Sequence, residues 1–195
     1  MGKNNLRKRT TLHFDGDRLT ATENGRYSGS WPAVSGREGH QYPWEQHNQG
    51  NGPIPEGRYS VGELQHRGAM DDVIGLLGYP FGKGGKWPGG RVAWGNSRTW
   101  LTPKADIDPK YAHRSGFSIH GGRDPGSAGC IDLTDQMDRF ADFYDKTGQS
   151  AELIVSYPDA STSERGNRWT PDSSQPTNRR FPEGISLWDA LSRHF

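Results

Sequence analysis

Short segments with apolar side chains at every second position dominate the first part of the chain. Thr11-Leu12-His13-Phe14 and Arg18-Leu19-Thr20-Ala21-Thr22 both follow the two-residue period of a half-buried strand. Asp15-Gly16 between them is a favoured hairpin turn, because both residue types tolerate positive φ. Glu23-Asn24-Gly25 marks a second turn leading into Arg26 to Trp31. Arg58 to Leu64, Arg91 to Trp94, Arg98 to Leu101, Phe117 to His120 and Ala151 to Ser156 are further extended segments. One stretch switches to the helical period. Leu133, Met137, Phe140, Ala141 and Tyr144 form an apolar stripe over Thr134–Lys146, and Gly148 supplies the stop. These are core-facing positions rather than a cofactor site.

Between the strands, residues 35–57 are dense in Gly, Pro, Asn and Gln and have little apolar period. Residues 65–90 are also irregular, with aromatics at Tyr79, Phe81 and Trp87 and a short helical turn predicted over Asp71–Leu77. Loops of such length are commonly functional or disordered. Beyond Tyr157 the chain becomes a Ser/Thr/Arg-rich tail punctuated by Pro158, Pro171, Pro176 and Pro182, with Leu187, Trp188 and Leu191 suggesting a short terminal helix. The expected organisation is therefore a mobile basic arm over 1–10, a catalytic-type domain over 11–156 and a polar tail over 157–195.

Composition narrows the class. Of 195 residues only 30% are hydrophobic and 27 are glycine, which disfavours a large layered α/β core and fits a compact β-rich one with long loops. Lys+Arg 24 against Asp+Glu 23 gives a net charge of +1, so no overall field favours nucleic acid. The basic cluster Lys3, Arg7, Lys8, Arg9 reads as a solvated arm. No run approaches the length of a membrane-spanning helix, and no apolar stretch follows the basic N-terminus, so neither stable membrane insertion nor a Sec signal is expected.

The candidate chemistry lies in Phe117-Ser118-Ile119-His120-Gly121-Gly122-Arg123-Asp124-Pro125-Gly126-Ser127-Ala128-Gly129-Cys130-Ile131-Asp132-Leu133. Cys130 is the sole cysteine, so it is either a small buried hydrophobe or a nucleophile. An apolar run delivers His120, a glycine-rich loop follows, and a turn of small residues places the thiol. A thiolate needs a nearby base and backbone N–H donors to attack a carbonyl, and this run supplies both residue types. The seven histidines show no His-Glu-x-x-His helix or paired cysteine spacing, so no metal is expected. In papain-like and NlpC/P60-type enzymes the cysteine precedes the histidine. Here the only histidine after Cys130 is His194, so that order is disfavoured.

This run resembles the active-site signature of the L,D-transpeptidase (YkuD-like) catalytic domain, with its Ile-His-Gly and Ser-x-Gly-Cys-apolar segments. With Trp31-Pro32-Ala33-Val34-Ser35-Gly36 and Gly52-Pro53-Ile54-Pro55-Glu56-Gly57-Arg58-Tyr59, the chain is similar to the type VI secretion L,D-transpeptidase effectors over roughly residues 11–156. Ala128 departs from the pattern, standing where most members carry a second histidine, and the gap from His120 to Cys130 is shorter than usual.

The resemblance implies a mostly β fold, a YkuD-like β-sandwich or partly open barrel, with one main helix after Cys130. It implies a Cys130 nucleophile, a His120 base held by the Gly121 carbonyl, and an oxyanion hole from the Ala128, Gly129 and Cys130 N–H groups. Ser127, Arg123, Asp132, Trp44 and Trp87 are the substrate-binding candidates. The implied activity is L,D-carboxypeptidase or D-amino-acid exchange on peptidoglycan stem peptides, without a cofactor. Implied partners are a cognate immunity protein and a type VI secretion carrier, with synthesis in the cytoplasm and action in the periplasm of target bacteria. A cysteine amidase or endopeptidase, or a non-enzymatic cell-wall binding module, stays open as the alternative.

Overall fold

Residues 9–68, 70–71 and 86–158 are described in the computed structural model. Most of the basic arm, all but Asp71 of the turn expected over Asp71–Leu77, Tyr79, Phe81 and nearly all of the tail lie outside these residues. Nine strands form one sheet: β1 (Thr10–Phe14), β2 (Arg18–Glu23), β3 (Arg26–Pro32), β4 (Val34–Ser35), β5 (Gly57–His66), β6 (Ser97–Pro103), β7 (Ser118–His120), β8 (Ile131–Asp132) and β9 (Ala151–Val155). Their order is β3-β2-β1-β9-β5-β6-β7-β8-β4. The outermost strands, β3 and β4, are joined by Ala33 alone, so the chain itself brings the two edges of the sheet together. The result is a nearly closed barrel-like sheet, mostly β, with one main helix after Cys130.

The helix, α2 (Met137–Asp145), follows a 3-10 turn at Thr134–Gln136 and buries the stripe Met137, Phe140, Ala141 and Tyr144. These residues pack inside the sheet against Leu12, Leu19, Trp31, Tyr59, Ile119, Ile131 and Leu153. A register shift between Val61 and Leu64 in β5 leaves the Gly62 carbonyl off the regular ladder. Thr99 Oγ1 and Tyr144 Oη donate to it at 2.7 and 3.0 Å, so helix and sheet together satisfy the bulge.

Two sequence expectations change. Arg91 to Trp94, read as extended, is instead a single helical turn, α1 (Gly90–Trp94). Glycines in the positive-φ region, Gly89 at 81° and Gly95 at 67°, bracket it and reverse the chain at both ends. The loop expected over 35–57 is shorter at both ends, since Ser35 completes β4 and Gly57 opens β5. No helix among the described residues is long and apolar enough to cross a membrane.

Phe140 is fully buried, edge-on to Trp31 at 5.2 Å and stacked on Tyr144 at 5.5 Å. Phe140→Ala is expected to cost about 3–5 kcal/mol, read as a lower midpoint in urea unfolding with an unchanged slope.

Candidate active site

The site is built by the parallel pairing of β7 with β8. Ile119 lies opposite Ile131 and His120 opposite Asp132, which sets Cys130, one residue before β8, beside Ser118. Alternation then separates two faces. Ile119 and Ile131 enter the apolar core, and Ser118, His120, Cys130 and Asp132 share the other face. The antiparallel neighbour β6 extends both rows, placing Arg98 opposite His120 and Trp100 opposite Ser118.

Ser118 Oγ donates to the Cys130 sulfur at 3.3 Å. His120, only 1% exposed, is fixed by Nδ1, which donates to the Gly121 carbonyl at 2.6 Å. That tautomer leaves Nε2 as the basic atom, and Nε2 is buried without an acceptor or donor in hydrogen-bond geometry. Burial is the largest influence on the imidazole and opposes its charge. The Cys130 sulfur, the Asp132 carboxylate and the Gly121 carbonyl outweigh it and hold the His120 pKa above its ordinary value. Burial likewise opposes the Cys130 thiolate, but His120 and the Ser118 hydroxyl prevail and lower the thiol pKa. The two shifts converge on a thiolate–imidazolium pair.

The turn before the thiol is locked to the long loop. Gly129 N donates to the Gly52 carbonyl at 3.0 Å, and Gly36 N to the Ser127 carbonyl at 3.0 Å. Arg114, 5% exposed, donates through Nη1 to the carbonyls of Gln46 and Pro53 at 2.5 and 2.6 Å, and through Nη2 to Gly52 at 3.0 Å. One buried guanidinium thus gathers carbonyls of the loop, among them the Gly52 carbonyl that holds the Cys130 turn. Gly129 adopts φ 76°, and a Cβ there would stand 2.8 Å from both Arg114 Nη2 and the Phe117 ring. Glycine is required on both counts.

This lock alters one expectation. The Gly129 N–H, assigned to the oxyanion hole from sequence, already serves Gly52. Ser127 contributes its backbone carbonyl. Asp132 is buried, and its two carboxylate oxygens accept from Gly126 N at 3.1 Å and Thr134 N at 2.8 Å, tying the glycine-rich loop to the turn that starts the helix. Arg123 lies nearer the surface, 3.6 Å from Asp124.

The two candidate tryptophans part company. Trp44 is 50% exposed and stacks on Tyr42 at 4.5 Å. Trp87 is 3% exposed and packs edge-on to Trp94 with the Arg98 guanidinium 4.1 Å above its ring. Sequence reasoning missed Ser118, which its two-residue spacing from His120 places on the same strand face. It also missed Arg98 and Arg114, whose positions depend on contacts distant in sequence. Among the described residues no group of three or more His, Cys, Asp or Glu is arranged to hold a metal ion.

Among solved structures, the chain is similar to L,D-transpeptidase 1 of Mycobacterium tuberculosis at 15% identity and a TM-score of 0.42, covering 77% of this chain and 63% of that one. An L,D-transpeptidase from Mycobacterium smegmatis matches at 15% identity and a TM-score of 0.37, over 76% and 59% of the two chains. L,D-transpeptidase 3 of M. tuberculosis matches at 14% and 0.38, over 76% and 61%. In each case the match spans less than two thirds of the other protein. No curated protein sequence matches. The family model of the Tlde1 domain matches residues 29–157, a segment that holds both Ser118-Ile119-His120 and the Cys130 turn. The chain therefore belongs to the Tlde1 domain family, the type VI secretion L,D-transpeptidase effectors.

Proposed function

We propose that this protein is a cysteine acyltransferase that modifies peptidoglycan tetrapeptide stems. The observation that carries the reading is the buried Cys130 sulfur, which accepts from Ser118 and faces a His120 whose Nδ1 is already committed to Gly121. The Cys130 thiolate attacks the carbonyl of the third stem residue, at the L-centre of diaminopimelate. The Ala128 and Cys130 N–H groups receive the developing oxyanion. His120, protonated at Nε2, gives its proton to the departing nitrogen, and the terminal D-alanine leaves. Water, or the amine of a D-amino acid, then attacks the thioester with His120 as base, giving a tripeptide or an exchanged tetrapeptide. Either product depletes the donors of cross-linking, which suits an antibacterial effector delivered to the periplasm by a type VI carrier and neutralised at home by an immunity protein.

Mass spectrometry of muropeptides after incubation tests the reaction. Tripeptide or D-amino-acid-exchanged products are expected, and stem-free glycan would instead mean an amidase. Cys130→Ala and His120→Ala should each lower turnover by on the order of 10⁴ or more while leaving the circular dichroism unchanged.

The pH profile follows from the two shifts. The thiolate forms above a thiol pKa lowered by His120 and Ser118, so the acidic limb of kcat/KM should lie below the ordinary thiol range. The imidazolium persists up to a raised His120 pKa, so the alkaline limb should lie above the ordinary histidine range. Ser118→Ala removes a hydrogen bond to the charged sulfur. It should move the acidic limb upward and lower kcat/KM near neutrality by about tenfold to a hundredfold. An acidic limb unchanged by Ser118→Ala would remove Ser118 from this role.

We assign Trp44, half-exposed on the loop joined to the Cys130 turn, to substrate contact, whereas Trp87 is buried among packed rings. Trp44→Ala should lower muropeptide turnover with little change in Tm. Trp87→Ala should destabilise the fold by about 3–5 kcal/mol. Thermal melts beside steady-state kinetics separate the two.

A further inference from the structure

Arg98 is a buried cation that the mechanism above does not use. Only 5% of it is exposed, yet among the described residues it forms no ion pair with a carboxylate. Its guanidinium is instead held by tryptophan rings, 4.1 Å from Trp87, 4.6 Å from Trp94 and 4.6 Å from Trp100. Nε donates to Gln65 Oε1 at 3.1 Å and Nη2 to the Lys86 carbonyl at 2.7 Å. A guanidinium carries five N–H donors, so among the described residues the Nη1 pair and one Nη2 proton have no acceptor. Indole faces stabilise the charge but supply no lone pair for those protons. Burial lowers the Arg98 pKa, and the charges that oppose this are those of Cys130 and Asp71.

Its place in the sheet says what it faces. Arg98 is opposite His120 across β6 and β7, on the face that carries Ser118 and Cys130. Adjacent strands stand about 4.8 Å apart, so the backbones of β6 and β8 are separated by roughly 10 Å. β7 lies between them, so a substrate residue laid over His120 on this face spans from the Cys130 sulfur towards the guanidinium. Trp94 fixes the geometry from both sides, since its ring packs at 5.1 Å on His120 and under Arg98. In an acyl transfer at a terminal peptide bond, the carboxylate of the leaving residue lies only three bonds beyond the attacked carbonyl carbon. A carboxylate is also the partner whose two oxygens match an unsatisfied guanidinium edge.

We propose that Arg98 is the specificity residue of this site and binds the free α-carboxylate of the residue that is expelled. The assignment rests on the acyl-transfer reading above and narrows it to stems that end at the leaving residue. Peptides continued or blocked at that carboxyl leave the guanidinium buried without its partner and are rejected. Arg98 makes the enzyme exo-acting, while Cys130 and His120 carry out the chemistry.

The test uses the Cys130→Ala protein, so that binding is measured without turnover. Calorimetric titration compares a disaccharide-tetrapeptide bearing a free C-terminal carboxylate with the same compound as its C-terminal carboxamide. The acid is expected to bind about a hundredfold more tightly, the scale of a desolvated charge-paired contact. In Cys130→Ala/Arg98→Gln that advantage should collapse to within a fewfold, and Arg98→Lys should restore part of it. Equal binding of acid and amide, binding of neither, or an advantage that survives Arg98→Gln overturns the assignment. The acid–amide comparison with Arg98 intact decides the matter even where Arg98→Gln fails to fold. Loss of the acyl-transfer reading would show separately, as tight acid binding by a protein with intact Cys130 that makes no tripeptide or exchanged product.

Discussion

Parallel pairing of β7 with β8 is the constraint on which the other features depend. Neighbouring parallel strands ordinarily need a crossover of a dozen residues or more, with a helix inside it. Here residues 121–130 make the connection without one, and they are glycine-rich because that path is short. The loop lies against α1, where Gly121 N donates to the Trp94 carbonyl and Arg123 N to the Val92 carbonyl. At Gly121 a Cβ would stand 2.7 Å from Met137 Cβ and 2.7 Å from the Thr134 carbonyl. The same short path delivers His120 and Cys130 to one face in adjacent rows. Core and site are thus two sides of one pairing, with Ile119 and Ile131 anchoring inward what Ser118, His120 and Cys130 present on the other side.

Burial gives this face its electrostatic character. His120 and Cys130 are each nearly inaccessible, so each charged form alone would be disfavoured. Together they stabilise one another, and neighbours already committed elsewhere hold their geometry. The Gly121 carbonyl accepts from Nδ1–H, Asp132 is held by Gly126 and Thr134, and Ser118 donates to the sulfur. Two further cations stand behind the pair. Arg114 gives three bonds to carbonyls of the loop, a structural use that explains its burial. Arg98 gives only two bonds, and its Nη1 gives none among the described residues.

How much was legible in the sequence follows from how local each feature is. The hairpin at Asp15-Gly16, the stripe from Met137 to Tyr144, and the Ile119–His120 and Gly129–Cys130 segments carry their signals within a few residues. They emerged with small shifts at the ends. Arg91 to Trp94 misled because Val and Trp favour strands, while the glycines on either side set a helical turn. Donor use at the Cys130 turn was hidden because the partner of Gly129 is Gly52, far away in the chain. Trp44 and Trp87 looked alike as aromatics in polar loops. Arg98, which occupies Trp87, is distinguished by strand register rather than by its neighbours in sequence.

The long loop illustrates the same point for mobility. Residues 36–56 have the composition of a flexible segment, but their carbonyls at Gln46, Gly52 and Pro53 converge on Arg114, and Gln46 Oε1 accepts from Glu56 N. His40 pairs with Glu45, which also accepts from Asn48, so the segment holds itself through side chains rather than an apolar core. A Cβ at Gly52 would stand 1.9 Å from the Glu45 carbonyl, which leaves no room for any other residue there. A wall so fixed suits a thiol that is only 6% exposed. Selectivity at the proposed site then rests on groups that these bonds already hold in place.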